Sequence, residues 1–64
     1  MENKVLVGKT GLARTDLRPS GKVTIDGVTH DAVSSEGGFI SKNTSVVVAK
    51  YEMGQLYVSE HLQN

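Results

Sequence analysis

The sequence predicts an all-β fold, a small closed barrel of five short strands. Three observations carry that expectation. Branched apolar residues alternate with polar ones at the two-residue period of half-buried strands, and glycine-bearing reversals separate the alternating segments. No stretch has the 3.6-residue apolar period of an amphipathic helix. Closure follows from these, because it removes unpaired sheet edges that a chain this short has no other element to cover.

The elements follow in chain order. Val5-Leu6-Val7 opens an extended segment that runs through Gly8 and Gly11 to Arg14 and Thr15, and glycines inside such a pattern mark a bulge or bend. The stretch Leu17-Arg18-Pro19-Ser20-Gly21 then reverses the chain. Pro19 fixes its own φ and biases Arg18 toward extended geometry, and Gly21 is expected to supply the positive φ that closes the turn. Lys22-Val23-Thr24-Ile25 alternates as a second strand, Asp26-Gly27 is a strong hairpin signal, and the segment from Val28 to Ser34 returns as a third strand with His30 and Asp31 exposed. Ser35-Glu36-Gly37-Gly38 breaks the pattern. The residues from Phe39 to Asn43 read as a loop with two apolar anchors, in which Phe39 is expected to plug the barrel end. The segment from Thr44 to Glu52 is the most β-prone of the chain, Met53-Gly54 turns it, and the segment from Gln55 to Glu60 is the fifth strand, with Leu56 and Val58 inward. The expected core is Val7, Leu12, Leu17, Val23, Ile25, Val33, Ile40, Val46, Val48, Leu56 and Val58.

Composition bounds the function. The chain has 64 residues, no cysteine and a formal net charge of +0. That length builds one small core, so residues 1–64 read as a single domain with residues 1–4 and 61–64 expected to fray. Electrical neutrality argues against the broad attraction to phosphate that drives most nucleic-acid binding. No apolar run approaches the roughly 20 residues of a membrane-spanning helix.

Gly11, Leu17, Arg18, Pro19, Ser20, Gly21, Gly27, Gly38 and Ile40 fall in order at separations that form a recognisable pattern. From Gly8 to Glu60 the chain resembles the C-terminal soluble domain of NfeD-like proteins (nodulation formation efficiency D). Asn43 departs from the pattern, which places glycine there, although asparagine tolerates left-handed geometry. The resemblance implies an OB-like barrel without catalytic chemistry, at the end of a membrane-anchored protein whose spanning segments precede Met1. It implies as partner a stomatin- or flotillin-like protein or a membrane serine protease.

Ser34 and Ser35 stand outside any Gly-x-Ser-x-Gly elbow and read as a polar turn rather than a nucleophile. Adjacent strand residues point to opposite faces, so His30 and Asp31 do not readily share a metal ion. No catalytic, metal or cofactor residue is expected. The candidates for partner binding are Arg14, Arg18 and Lys22 around the first reversal, together with the aromatic residues Phe39, Tyr51 and Tyr57. The alternative is an oligonucleotide-binding module acting through the same cations and the tyrosines, which neutrality and the scatter of the three rings disfavour.

Overall fold

The computed structural model describes residues 6–61. Strands β1 (Thr10–Ala13), β2 (Ser20–Ile25), β3 (Val28–Ser34), β4 (Ser45–Glu52) and β5 (Gln55–Glu60) close into a barrel in the order β1-β2-β3-β5-β4. Every neighbouring pair is antiparallel except β3 with β5, which run parallel. Strand direction then sets the two ends. The β1–β2 and β3–β4 connections meet at one end, here called upper, while the two tight hairpins lie at the lower end.

Both hairpins obey local turn chemistry. Asp26 (φ 52°) with Gly27 joins β2 to β3, and Met53 (φ 51°) with Gly54 joins β4 to β5. Two successive residues at positive φ give the turn whose twist matches that of the flanking strands. Asn43 also adopts the left-handed region, at φ 72°, as its residue type allows.

The first strand is shorter than the sequence suggests. Val5 lies outside the described residues. The Lys9 N–H donates to the Leu6 carbonyl at 2.9 Å, closing a turn before β1 begins at Thr10. The chain still pairs with β4 there, because Gly8 N–H donates to the Val48 carbonyl and Val48 N–H to the Lys9 carbonyl, both at 2.9 Å. Of residues 1–4 and 61–64, expected to fray, 1–4 and 62–64 lie outside the described residues. His61 donates its N–H to the Ser45 carbonyl at 2.8 Å, one step beyond β5.

Gly21 is needed for space, not for a positive φ. It is the second residue of β2, and a Cβ built on it would meet Leu17 Cδ2 at 2.4 Å and the Asp16 carbonyl oxygen at 2.6 Å. The reversal itself runs through a cis Arg18–Pro19 peptide. Gly11 is similar, since its Cβ would lie 2.3 Å from the Thr24 carbonyl oxygen where β1 crosses β2.

The core consists of Ala13, Leu17, Val23, Ile25, Ala32, Ile40, Val46, Val48, Leu56 and Val58. Burying each of the larger side chains contributes about 1.5–3 kcal/mol. Three expected members are not among them: Val7 and Leu12 are exposed, and Val33 is half-buried on the outer wall. At Leu12-Ala13 and Ala32-Val33 the smaller neighbour points inward. The reason is crowding near the upper end. Ala32 stands opposite Gly21 in the ladder and Ala13 opposite Val23, and Leu17 packs over Gly21, into the space a side chain there would take. Leucine or valine at positions 13 and 32 would compete with Leu17 for that volume.

Candidate partner-binding surface

The upper end is a clasp between two connections. Leu17 and Ile40 exchange main-chain hydrogen bonds, Leu17 N–H to the Ile40 carbonyl at 2.8 Å and Ile40 N–H to the Leu17 carbonyl at 3.1 Å, while both side chains enter the core. Asp16 ties the same connections together through its carboxylate. Its Oδ1 accepts from the Lys42 main-chain N–H at 2.8 Å, and its Oδ2 accepts from Arg18 at 3.3 Å. Thr15 Oγ1 accepts from the Lys22 main-chain N–H at 3.1 Å.

This clasp determines where Phe39 goes. Neighbouring residues of an extended bridge point to opposite sides, so anchoring Ile40 inside turns Phe39 outward. Phe39 is 56% exposed and does not plug the barrel, contrary to the sequence expectation; Leu17 and Ile40 fill that end. The Arg18 guanidinium lies 5.2 Å from the centre of the Phe39 ring, a cation–π distance. An exposed aromatic and an exposed guanidinium are thus presented together on main chain held from both sides.

The six candidates do not form one patch. Arg18 and Phe39 come together at the upper end. Arg14 is exposed at the start of the β1–β2 connection, its N–H donating to the Lys22 carbonyl at 2.8 Å. Lys22 lies on the barrel wall, paired with Asp31 directly across the β2–β3 ladder. Tyr57 is half-buried on β5 with Lys50 Nζ 4.9 Å above its ring, and Tyr51 packs against the core. His30 and Asp31 diverge as expected, with Asp31 on the outer wall and His30 half-buried opposite Val23.

Among the described residues, opposite charges are set side by side in four pairs. Lys9 pairs with Asp26 at 3.0 Å, Arg18 with Asp16 at 3.3 Å and Lys50 with Glu52 at 3.2 Å, besides Lys22 with Asp31. Such exposed pairs each contribute less than about 1 kcal/mol. Their larger effect is to break up any continuous basic track.

One feature escaped the sequence reading. Beside Phe39, a groove of about 80 Å³ runs between the β3–β4 connection and the end of β5, lined by Ser34, Glu36, Phe39, Ile40, Ser59 and Glu60. Ser34 ends β3, where the sequence places the end of the third strand, and is 5% exposed rather than part of the polar turn expected for Ser34 and Ser35. The two-residue period from Ala32 would have placed it inward, but that signal was lost once Val33 was assigned to the core.

A closed five-stranded barrel in this strand order, with its two long connections clasped at one end, is an OB-like domain that displays loop residues on a rigid support. Residues 3–60 match the family model described as the NfeD-like C-terminal, partner-binding domain, and the chain belongs to that family. It is 47% identical over 55 residues to "Membrane protein NfeD1b" of Bacillus subtilis (strain 168), a match that covers 86% of this chain and 12% of that protein. The chain therefore spans about an eighth of that relative's length. Among solved structures it is similar to the "C-terminal domain of stomatin operon partner protein 1510-C from Pyrococcus horikoshii", with a TM-score of 0.88, 24% identity and 98% of each chain covered.

Proposed function

We propose that this domain is a non-catalytic protein–protein interaction module of a membrane-anchored NfeD-like protein, and that it binds a stomatin- or flotillin-like partner. The observation that carries the reading is the Arg18–Phe39 pair, an exposed aromatic and a cation fixed on the Leu17–Ile40 clasp of a partner-binding family domain. Exposed aromatic and arginine side chains are the residue types that most often anchor protein interfaces. Membrane anchoring is supported by the membrane relative, and the choice of partner by the name of the stomatin operon protein. A membrane serine protease is the other partner the family resemblance implies.

The wall that OB barrels use for oligonucleotides, formed by β2 and β3, carries the Lys22–Asp31 pair and the facing hydroxyls of Thr24 and Thr29. It presents no exposed ring for a base to stack on. An oligonucleotide reading therefore draws little from this surface.

Immobilised domain should capture a stomatin-like protein encoded beside it. The double variant Arg18→Ser/Phe39→Ala should lose that capture while its thermal unfolding stays within a few degrees of the parent. Failure of the unmodified domain to retain any stomatin- or flotillin-like candidate, with a protease candidate retained instead, would transfer the function to the other partner. Retention of neither would sink the proposal.

A further inference from the structure

The groove beside Phe39 borders the end of β5, where one residue, Glu60, turns its main chain away from β4. Hydrogen bonding alternates along an antiparallel ladder, so residues of β5 face β4 and the opposite side in turn. His61 N–H bonds to the Ser45 carbonyl, and the same register pairs Val47 with Ser59 and Val46 with Glu60. Ser59 and His61 therefore spend their main-chain groups on β4, while Val58 and Glu60 direct theirs the other way, toward β3. Val58 is satisfied there, since its carbonyl accepts from Ser35 N–H at 2.7 Å. Beyond that point the chain leaves. Gly37, at φ 73°, turns back to donate its N–H to the Ser34 carbonyl at 3.0 Å, and none of the main-chain bonds made by the described β3–β4 connection reaches Glu60.

The side chains around this edge also point to a ligand. Ser34 is nineteen-twentieths buried, lines the groove and makes no side-chain hydrogen bond to another described residue. No side-chain polar atom among the described residues is both sealed from solvent and unpartnered, so the Ser34 hydroxyl opens into the groove. Glu36 and Glu60 add two carboxylates, and Phe39 and Ile40 add apolar wall. Arg18, the cation over the Phe39 ring, is already engaged with Asp16.

We propose that this groove is where an extended, basic segment of the partner protein docks, its main chain pairing with Glu60 and one lysine or arginine side chain entering the groove. The chemistry fits such a side chain at both ends: its aliphatic stem lies along Phe39 and Ile40, and its charged head meets the carboxylates of Glu36 and Glu60 and the hydroxyl of Ser34. The pairing is strand addition to an exposed edge, in which the main chain supplies affinity and the pocket supplies selectivity. This inference rests on the partner-binding reading and gives it a location and a sequence preference.

The test is an NMR titration of the ¹⁵N-labelled chain with an acetylated, amidated peptide Thr-Val-Lys-Val-Thr and with its counterpart carrying glutamate in place of lysine. The lysine peptide should shift the amides of Ser35, Gly38 and Glu60, and the glutamate peptide should bind at least about fivefold more weakly. Glu36→Gln/Glu60→Gln, whose thermal unfolding should match the parent, should lower affinity for the lysine peptide by about fivefold to tenfold and flatten its dependence on salt. Equal binding of the two peptides, or no movement of the groove amides, overturns the inference. The titration needs no stomatin-like protein. Capture of that protein by a domain whose groove ignores the peptide would therefore overturn the groove and leave the partner-binding reading standing.

Discussion

The two ends of the barrel are built on different principles. At the lower end, Asp26-Gly27 and Met53-Gly54 reverse the chain within two residues each, and their conformation is set by the turn residues themselves. At the upper end the chain takes the longer connections from Arg14 to Pro19 and from Ser35 to Thr44, whose shape depends on contacts between residues far apart in sequence: Leu17 with Ile40, Leu17 over Gly21, and Asp16 with Lys42. Because the interior of the clasp is held by Leu17, Ile40 and the main chain, Phe39 is left exposed with Arg18 over its ring, on a surface that does not collapse. Short turns have no such surplus. The end that can carry a partner site is the one that costs long-range organisation.

Mutations should separate the two ends. The largest effect is expected at Leu17, which is 0% exposed. Leu17→Ala should lose about 2–5 kcal/mol, in a domain whose whole stability at this length is about 3–10 kcal/mol, so urea titration should find it largely unfolded or close to it. Val28→Ala, beside the lower hairpin and 55% exposed, should move the same midpoint little. Gly21→Ala comes next. Its new methyl would displace Leu17 and press on the Asp16 carbonyl and Thr15 Oγ1, costing about 1–3 kcal/mol, and Leu17→Val in the same chain should recover part of the loss if crowding is the cause. Asp16→Ala removes the acceptor of the Lys42 N–H and the Arg18 partner, for about 1 kcal/mol, and hydrogen exchange should report faster opening at Lys42 without change at Val28 or Met53.

The same contrast explains what could be read in advance. Strands β3 and β5, the Asp26-Gly27 and Met53-Gly54 turns and the left-handed Asn43 were legible because each follows from residues adjacent in sequence. The errors gather where distant packing decides. Leu12 and Val33 read as inward, but the register sets Ala13 opposite buried Val23 and Ala32 opposite Gly21, a pairing that nothing local reveals. Phe39 was misplaced for a related reason: whether Phe39 or Ile40 turns inward depends on the bridge to Leu17, twenty-odd residues away. Of the candidate site, Arg18 and Phe39 were named but their contact was not foreseen. The groove went unseen because it depends on Ser34, Gly37 and Glu60 meeting in space. Lys22 is a candidate for its place beside the first reversal and Tyr51 and Tyr57 for their rings, and the fold holds them in an ion pair, at the core margin and in a cation–π contact, apart from the Arg18–Phe39 pair.

The smallest effect expected has the opposite sign. Met53 occupies the left-handed region at φ 51° and is 99% exposed, so its side chain makes almost no contact that a substitution could lose. Asparagine tolerates that conformation and, followed by Gly54, gives the Asn-Gly pair favoured in two-residue hairpins. Met53→Asn should therefore stabilise the domain by up to about 1 kcal/mol, seen as a higher urea midpoint at unchanged slope. Asp26→Asn, at nearly the same φ, should gain less, because it also removes the carboxylate that pairs with Lys9. If Met53→Asn leaves the midpoint where it was, or lowers it, the lower end is not governed by its turn residues alone. Contacts beyond the hairpin would then have to be shaping it, as they shape the clasp opposite.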